Sequence, residues 1–174
     1  WKSDYYDVRI IGLLIDDPKQ ITPEQAERQV GELQGGYLSH VFAACDSPLA
    51  KTTFAFDLAS RWIDSSDAVR RRCGYSLFYE LSKKNPKGMT DDFLLNLIAR
   101  IEREIHGEEM WVREAMNSAL FGIGKRNLIL NKAAVAAAKK IGPVDIDYGD
   151  DNSCEPLDVL KHLTSESLLK RLSN

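Results

Sequence analysis

The sequence predicts an all-α protein, a curved stack of helix pairs of the HEAT-like kind with a short irregular C-terminal extension. Apolar residues recur every three to four positions along most of the chain, which is the spacing of one helix face. One such helix also has an echo, because Val69-Arg70 recurs as Val112-Arg113, 43 positions later. A period of about 40–47 residues built from helix pairs is typical of HEAT and armadillo arrays. A chance likeness between two amphipathic helices is the alternative.

Helix starts are marked by capping residues along the chain. Thr22-Pro23 combines an N-cap threonine with proline at the first helical position, and Ser47-Pro48 repeats the device. Thr90 precedes two aspartates and a strongly periodic apolar run. We therefore expect separate helices to begin after each of these residues.

The apolar stripes define the central helices. After Ser66 the stripe falls every four residues, and later runs keep a 3.6-residue period up to Ile141. The two clearest stripes are Val69, Cys73, Leu77 and Leu81, and then Val112, Ala115, Met116, Ala119, Leu120 and Ile123. Gly142-Pro143 ends the last of these helices, because glycine favours the C-cap and proline cannot continue a helix. Residues 144–174 form the extension, with a short alternating run, a loop and one or two closing helices.

Size and charge limit the function classes. A chain of 174 residues with 44% hydrophobic content is predicted to form a single domain, 1–174, with a sizeable core. The net charge of −3 argues against a simple polybasic nucleic-acid binder, although it permits a local basic stripe. Three scattered cysteines favour a reducing compartment, so we expect a cytoplasmic protein without a membrane segment. Because the chain opens on Trp1, we expect N-terminal helices of a longer protein to precede it.

No common catalytic or metal motif stands out. Gly122-Ile123-Gly124 falls at a predicted helix end rather than after a strand, which argues against a phosphate loop. The three histidines are far apart and lack metal-ligand spacing with the cysteines, so no metal and no cofactor are predicted. Cys73 lies on an apolar helix face, and we interpret it as a core residue rather than a nucleophile.

Several short motifs, in order and spacing, resemble the AlkD-like DNA alkylation-repair family. They are WKSDYYDVR at 1–9, CDS at 45–47, WIDSSD at 62–67 and VRRR at 69–72. The tail motifs IGPVDIDYG at 141–149 and CEP at 154–156 are similar to an extension carried by one branch of that family. The likeness covers almost the whole chain.

The resemblance implies a HEAT-like solenoid whose concave face holds duplex DNA. Active members of the family are glycosylases that release cationic N3- and N7-alkylated purines without a metal. Aromatic rings and a carboxylate contact the sugar and the base. Such a carboxylate is physically sensible, because breaking the glycosidic bond builds positive charge on the deoxyribose.

The resemblance assigns the pocket residue by residue, and the match is partial. The catalytic carboxylate falls on Asp46, the first pocket tryptophan on Phe42 and a pocket arginine on Arg72. The second tryptophan falls near Ser118 and the following arginine near Phe121. A serine cannot stack on a base and a phenylalanine cannot bind phosphate, so half of the pocket is altered. Each assignment has a structural alternative. Asp46 could instead stabilise a helix N-terminus through the helix dipole, and Phe42 could instead be a core residue.

The remaining basic residues are predicted DNA contacts, alone or as a stripe formed where corresponding repeats end. They are Arg70, Arg71, Lys84, Arg113, Lys125 and Arg126. Helical geometry separates neighbours by about 100°, so the consecutive arginines cannot all face one way. A solvated, ion-paired surface is the alternative interpretation of each cluster.

Two function hypotheses follow. The first is a DNA-binding family member, expected as a monomer, that recognises damaged duplex DNA with or without purine release. The second is a catalytically inactive HEAT-type scaffold for protein partners, which the net charge of −3 favours.

Overall fold

The computed structural model describes residues 1–84, 86–150 and 153–173. In that part of the chain the regular structure is helical, without strands. The backbone forms two compact units, Trp1–Pro86 and Lys87–Asn174. The expectation of a single domain stays a prediction. Asn85, at the end of the first repeat copy, and Asp151 in the tail lie outside the described residues.

The described residues of the first unit form five α-helices and one 3-10 turn. They are α1 (Tyr6–Ile15), α2 (Pro23–Glu32), α3 (Gly36–Ala43), the 3-10 turn Leu49–Lys51, α4 (Ala55–Trp62) and α5 (Ala68–Ser82). Helix α5 packs against α2, α3 and α4 and is the centre of the unit. Gly74 permits the tight α4–α5 crossing, since a Cβ there would lie 2.9 Å from Cγ2 of Ile63 and 3.1 Å from the Ala59 carbonyl oxygen.

The second unit is built from longer helices followed by the extension. Its elements are α6 (Asp91–Glu104), the 3-10 turn Ile105–Gly107, α7 (Met110–Gly124), α8 (Leu128–Ile141), α9 (Val159–Leu163) and α10 (Glu166–Ser173). Helices α6, α7 and α8 pack together, and α9 packs on α7 and α8. The run 144–148 is not a strand, yet Val144 and Ile146 are buried while Asp145 and Asp147 are exposed, as its alternation indicates.

The capping residues act as the sequence indicates. The hydroxyls of Thr22 and Thr90 accept bonds from the amides of Gln25 and Phe93, 3.2 Å away in both cases. Asp67 caps α5 by accepting the amide of Val69 at 2.7 Å. Helix α8 ends at Ile141 and is capped by Gly142, whose φ of +71° requires glycine-like freedom. The prediction of an all-α fold is confirmed, and so are the predicted helix starts after Thr22 and Thr90. After Ser47-Pro48 only the 3-10 turn Leu49–Lys51 forms.

Candidate nucleic-acid interface

The backbone between α3 and the Leu49–Lys51 turn is conformationally unusual. Cys45 and Asp46 both have φ of +56°, and they are the only non-glycine residues with positive φ in the described part of the chain. This left-handed region costs about 1–2 kcal/mol for an ordinary residue, and aspartate tolerates it better than cysteine. Strained residues of this kind cluster at functional sites. The strained turn therefore marks the loop that carries the carboxylate assigned by the family resemblance.

The Asp46 carboxylate is exposed and paired with a lysine. Its side chain is 70% exposed, and Oδ2 lies 2.8 Å from the ammonium of Lys51. The hydrogen bond from Lys51 lowers the pKa of Asp46, and the charges of Lys51, Lys84 and Lys83 act in the same direction. Asp46 is thus a carboxylate that stays ionised at neutral pH and faces solvent.

Three lysines and two carboxylates surround the strained turn, and we call this group the turn cluster. Its members are Asp46, Lys51, Glu80, Lys83 and Lys84. Lys83 donates to both oxygens of the buried Glu80 carboxylate, 2.8 Å to each. Cations outnumber anions by one, so the cluster is a local positive site on a chain of net negative charge. Such a site is suited to contact a phosphate.

The arginines of α5 point in three directions and hold the first unit together. Arg70 pairs with the Glu27 carboxylate, and Arg71 donates to the carbonyls of Ser65 and Ser66 at 3.0 and 2.9 Å. Arg72 is 5% exposed and donates to the Gly36 carbonyl at 2.9 Å and to the Ser39 hydroxyl at 2.7 Å.

These contacts bear on the predicted DNA-binding roles. The guanidinium of Arg72 faces the N-terminal turn of α3 inside the unit, where it binds the Gly36 carbonyl and the Ser39 hydroxyl. Arg70 and Arg71 are only partly exposed, and their hydrogen bonds go to their own unit. To contact DNA as predicted, these two arginines would have to give up their hydrogen-bond partners in the first unit.

Phe42 is a core residue in this structure. It is 3% exposed, and its ring stacks on Trp62 with centroids 6.1 Å apart. A base therefore has no open aromatic face at Phe42 on which to stack. The structure supports the core interpretation of this position, and a pocket role would require the ring to move.

The second unit uses its candidate pocket residues to hold the C-terminal extension. The ring of Phe121 lies 5.6 Å from that of His162 in α9, and the Lys125 ammonium sits 4.2 Å above the same Phe121 ring. Arg171 of α10 lies 3.4 Å from the Lys125 carbonyl. Ser118 is half-buried on the same helix.

Two further arginines of the second unit differ in their surroundings. Burial lowers the pKa of Arg126, and the nearby Asp91 carboxylate partly opposes this effect. Arg113 is half-buried, and its buried Nε has no hydrogen-bond partner among the described residues. The Nε atoms of Arg72 and Arg126 share this property, and Arg113 stays a predicted DNA contact.

Sequence reasoning missed Lys51, the direct partner of Asp46. The only available signal was its position five residues after the carboxylate, and that spacing has no meaning unless the turn between them is left-handed.

Within the described residues, no group of three or more histidine, cysteine and acidic side chains is placed to hold a metal ion. In the same part of the chain no helix is long and apolar enough to cross a membrane.

Comparison with known proteins shows to which family the chain belongs. Residues 1–148 match the family described as DNA alkylation repair enzyme. The chain belongs to this family. Two curated relatives, the uncharacterized proteins Lin0241 of Listeria innocua and Lmo0209 of Listeria monocytogenes, are 24% and 25% identical to it. Each alignment covers 93% of this chain and 69% of the relative.

A solved structure supports the fold of this family member. The structure is that of a member of a new family of proteins related to the HEAT-like repeat DNA glycosylases with affinity for branched DNA structures. The TM-score is 0.79 at 24% identity, over 96% of this chain and 70% of the other. The prediction of a HEAT-like all-α fold is confirmed by this likeness.

Proposed function

We propose that this family member binds DNA through backbone phosphates and prefers duplexes that are branched or distorted by a lesion. The observation that carries the proposal is the turn cluster, a local excess of positive charge around an exposed carboxylate on a strained loop. Phosphate contacts supply most of the sequence-independent affinity of proteins for DNA. The affinity of the structural neighbour for branched DNA supports this choice of substrate.

Recognition of the DNA backbone is consistent with the surroundings of the aromatic rings within each unit. Phe42 is buried in the core, and Phe121 is in contact with His162 of the extension. The buried Phe42 ring is not placed to stack on an extruded base, so damage would be recognised from backbone shape and not from the base itself. Branched and abasic DNA present such shapes, because their helices bend or open at lower cost than an intact duplex.

The test is a binding series with the full-length protein at increasing salt. The probes are a four-way junction, an intact duplex and a duplex with an abasic analogue, all of the same length and composition. We expect affinity to fall with salt for every probe, and to be higher for the junction or the abasic duplex than for the intact duplex. If no probe binds even at low salt, the proposal is wrong and protein partners become the better hypothesis.

Release of cationic purines is the second candidate, because Asp46 is ionised and exposed. In that reaction water adds to C1′ and releases a proton to solvent, while the bond from C1′ to the base nitrogen breaks. The cationic base takes the electron pair of that bond and leaves as a neutral purine. The Asp46 carboxylate would stabilise the positive charge on the sugar. The Asp46→Asn variant should then lose all release of an N7-methylated purine while keeping its fold. Unchanged release in this variant would remove Asp46 from the reaction.

A further inference from the structure

Lys51 and Asp46 form an ion pair that can be opened at little cost. The Asp46 side chain is 70% exposed and that of Lys51 is 39% exposed, so water can replace either partner. Exposed ion pairs contribute little to stability for this reason. Breaking this ion pair should therefore cost little free energy.

The backbone beneath the pair is anchored. Ser47, Pro48, Leu49 and Ala50 are all buried, and the amide of Lys51 donates to the Pro48 carbonyl at 3.0 Å. The hydroxyl of Ser47 accepts the Ala50 amide at 3.3 Å. Because this short segment is fixed, the Lys51 ammonium can leave Asp46 by side-chain rotation alone, without unfolding the loop.

The neighbouring Lys83 differs in this respect. Its ammonium neutralises Glu80, whose side chain is only 3% exposed. Moving Lys83 to another partner would leave a buried carboxylate without this cation, which is strongly unfavourable. Of these two lysines, Lys51 is the one whose partner can be rehydrated when it leaves.

We propose that Lys51 is an exchangeable counter-ion, which pairs with Asp46 in the free protein and transfers to a DNA phosphate on binding. The inference rests on the proposed DNA-binding function and assigns Lys51 as a phosphate contact within it. In the free protein the ammonium occupies the place where a cationic group of a ligand would meet the carboxylate. DNA binding thus both gains a phosphate contact and opens Asp46 towards the bound strand.

The test compares the DNA affinity and its salt dependence for four single variants of the full-length protein. Lys51→Met should lose one phosphate contact, which lowers the slope of log affinity against log salt by about 1 and weakens binding roughly tenfold at about 0.1 M salt. Lys51→Arg should keep the slope, because the positive charge is retained. Lys19→Met removes an exposed lysine of the same unit that is outside the turn cluster, and should leave the slope unchanged.

The decisive readout is the sign of the Asp46→Asn effect. Asparagine tolerates the left-handed backbone, so the turn should be kept. Removing the carboxylate frees Lys51 for phosphate, and affinity should rise, opposite to the effect of Lys51→Met. If both variants weaken binding equally, or if Lys51→Met behaves like Lys19→Met, the inference is wrong although the protein still binds DNA. Absence of binding by the wild-type protein would overturn both this inference and the proposed function.

Discussion

Helices α5 and α7 are the two copies of the sequence echo, and their polar side chains serve different purposes. Both helices contain 15 residues and carry a valine-arginine pair within their first four residues. In α5 the arginines bind partners on α2, α3 and the preceding loop. In α7 the corresponding Arg113 is not engaged in this way, and the end of the helix binds the C-terminal extension.

This difference shows that repeated sequence does not give repeated function. The arginines of α5 bind partners within the first unit, so they add little exposed positive charge to it. The second unit has an extension to hold, and Phe121, Asn117 and Asn131 contact it. Mutations at corresponding points of the two helices should therefore have unequal effects.

The largest effect is expected for Arg72→Met in α5. The variant loses two hydrogen bonds from a charged donor and leaves the buried Ser39 hydroxyl without this partner. Such losses cost about 2–3 kcal/mol in the free energy of unfolding. Urea denaturation followed by circular dichroism measures this change.

The matched control is Arg28→Met on α2, where the arginine is exposed. A surface change of this kind should stay within about 0.5 kcal/mol. Equal stabilities of the two variants would show that Arg72 is not a structural anchor, and would return it to the set of candidate DNA contacts.

The next effect concerns the contact of α7 with the extension. A Cβ at Gly124 would lie 2.5 Å from Cδ1 of Leu163 and 2.9 Å from Cβ of Ala134. Gly124→Ala should therefore cost about 1–3 kcal/mol through overpacking. Amide exchange of Val159–Leu163 should become faster, while that of α5 stays the same.

Gly107→Ala is the control for this variant, because a Cβ there meets no atom within 4 Å. It should leave both the stability and the exchange of Val159–Leu163 almost unchanged. Unaltered exchange in Gly124→Ala would mean that the extension does not depend on its contact with α7.

The fold was predictable because its signals are local. Thr22 and Thr90 each accept the amide three residues further along, so their spacing in the sequence is sufficient to place helix starts. Asp67 caps α5 in the same local way, although sequence reasoning did not single it out. The prediction at Ser47-Pro48 was less complete. The serine caps as expected, but only the 3-10 turn Leu49–Lys51 follows it.

The candidate site was less predictable because its determinants are distant in the chain. Whether an arginine of α5 is buried depends on Glu27 and Ser39, which lie 43 and 33 positions away. Phe42 is placed in the core by its contact with Trp62. The link between Asp46 and Lys51 depends on positive φ at two residues, which backbone preferences disfavour for cysteine.

Relief of strain at the turn is a smaller effect of opposite sign. Asparagine adopts the left-handed region more readily than cysteine, so Cys45→Asn should stabilise the protein by about 1 kcal/mol or somewhat less. Cys154 is also exposed but has no positive φ, and Cys154→Asn should change little. The midpoints of urea denaturation of the two variants compare these effects. A loss of stability in Cys45→Asn alone would show that the cysteine side chain, rather than the backbone, defines the turn.

The smallest expected effect is the difference in stability between corresponding arginine variants of α5 and α7. Arg70→Met should cost about 0.5–1 kcal/mol, since the pair with Glu27 is partly exposed and Glu27 keeps Arg61 and Trp62 as partners. Arg113→Met should be neutral or slightly stabilising, because it removes a buried nitrogen without a partner in the described part of the chain.

The effects of these two variants on DNA binding should have the opposite order, with the larger effect in Arg113→Met. Arg113→Met should lower the salt slope of DNA affinity by about 1, whereas Arg70→Met should leave it unchanged because Arg70 is held by its own unit. Equal slopes for the two variants would show that the freedom of an arginine within its unit does not decide whether it contacts DNA. The contrast between α5 and α7 would then concern assembly of the fold alone.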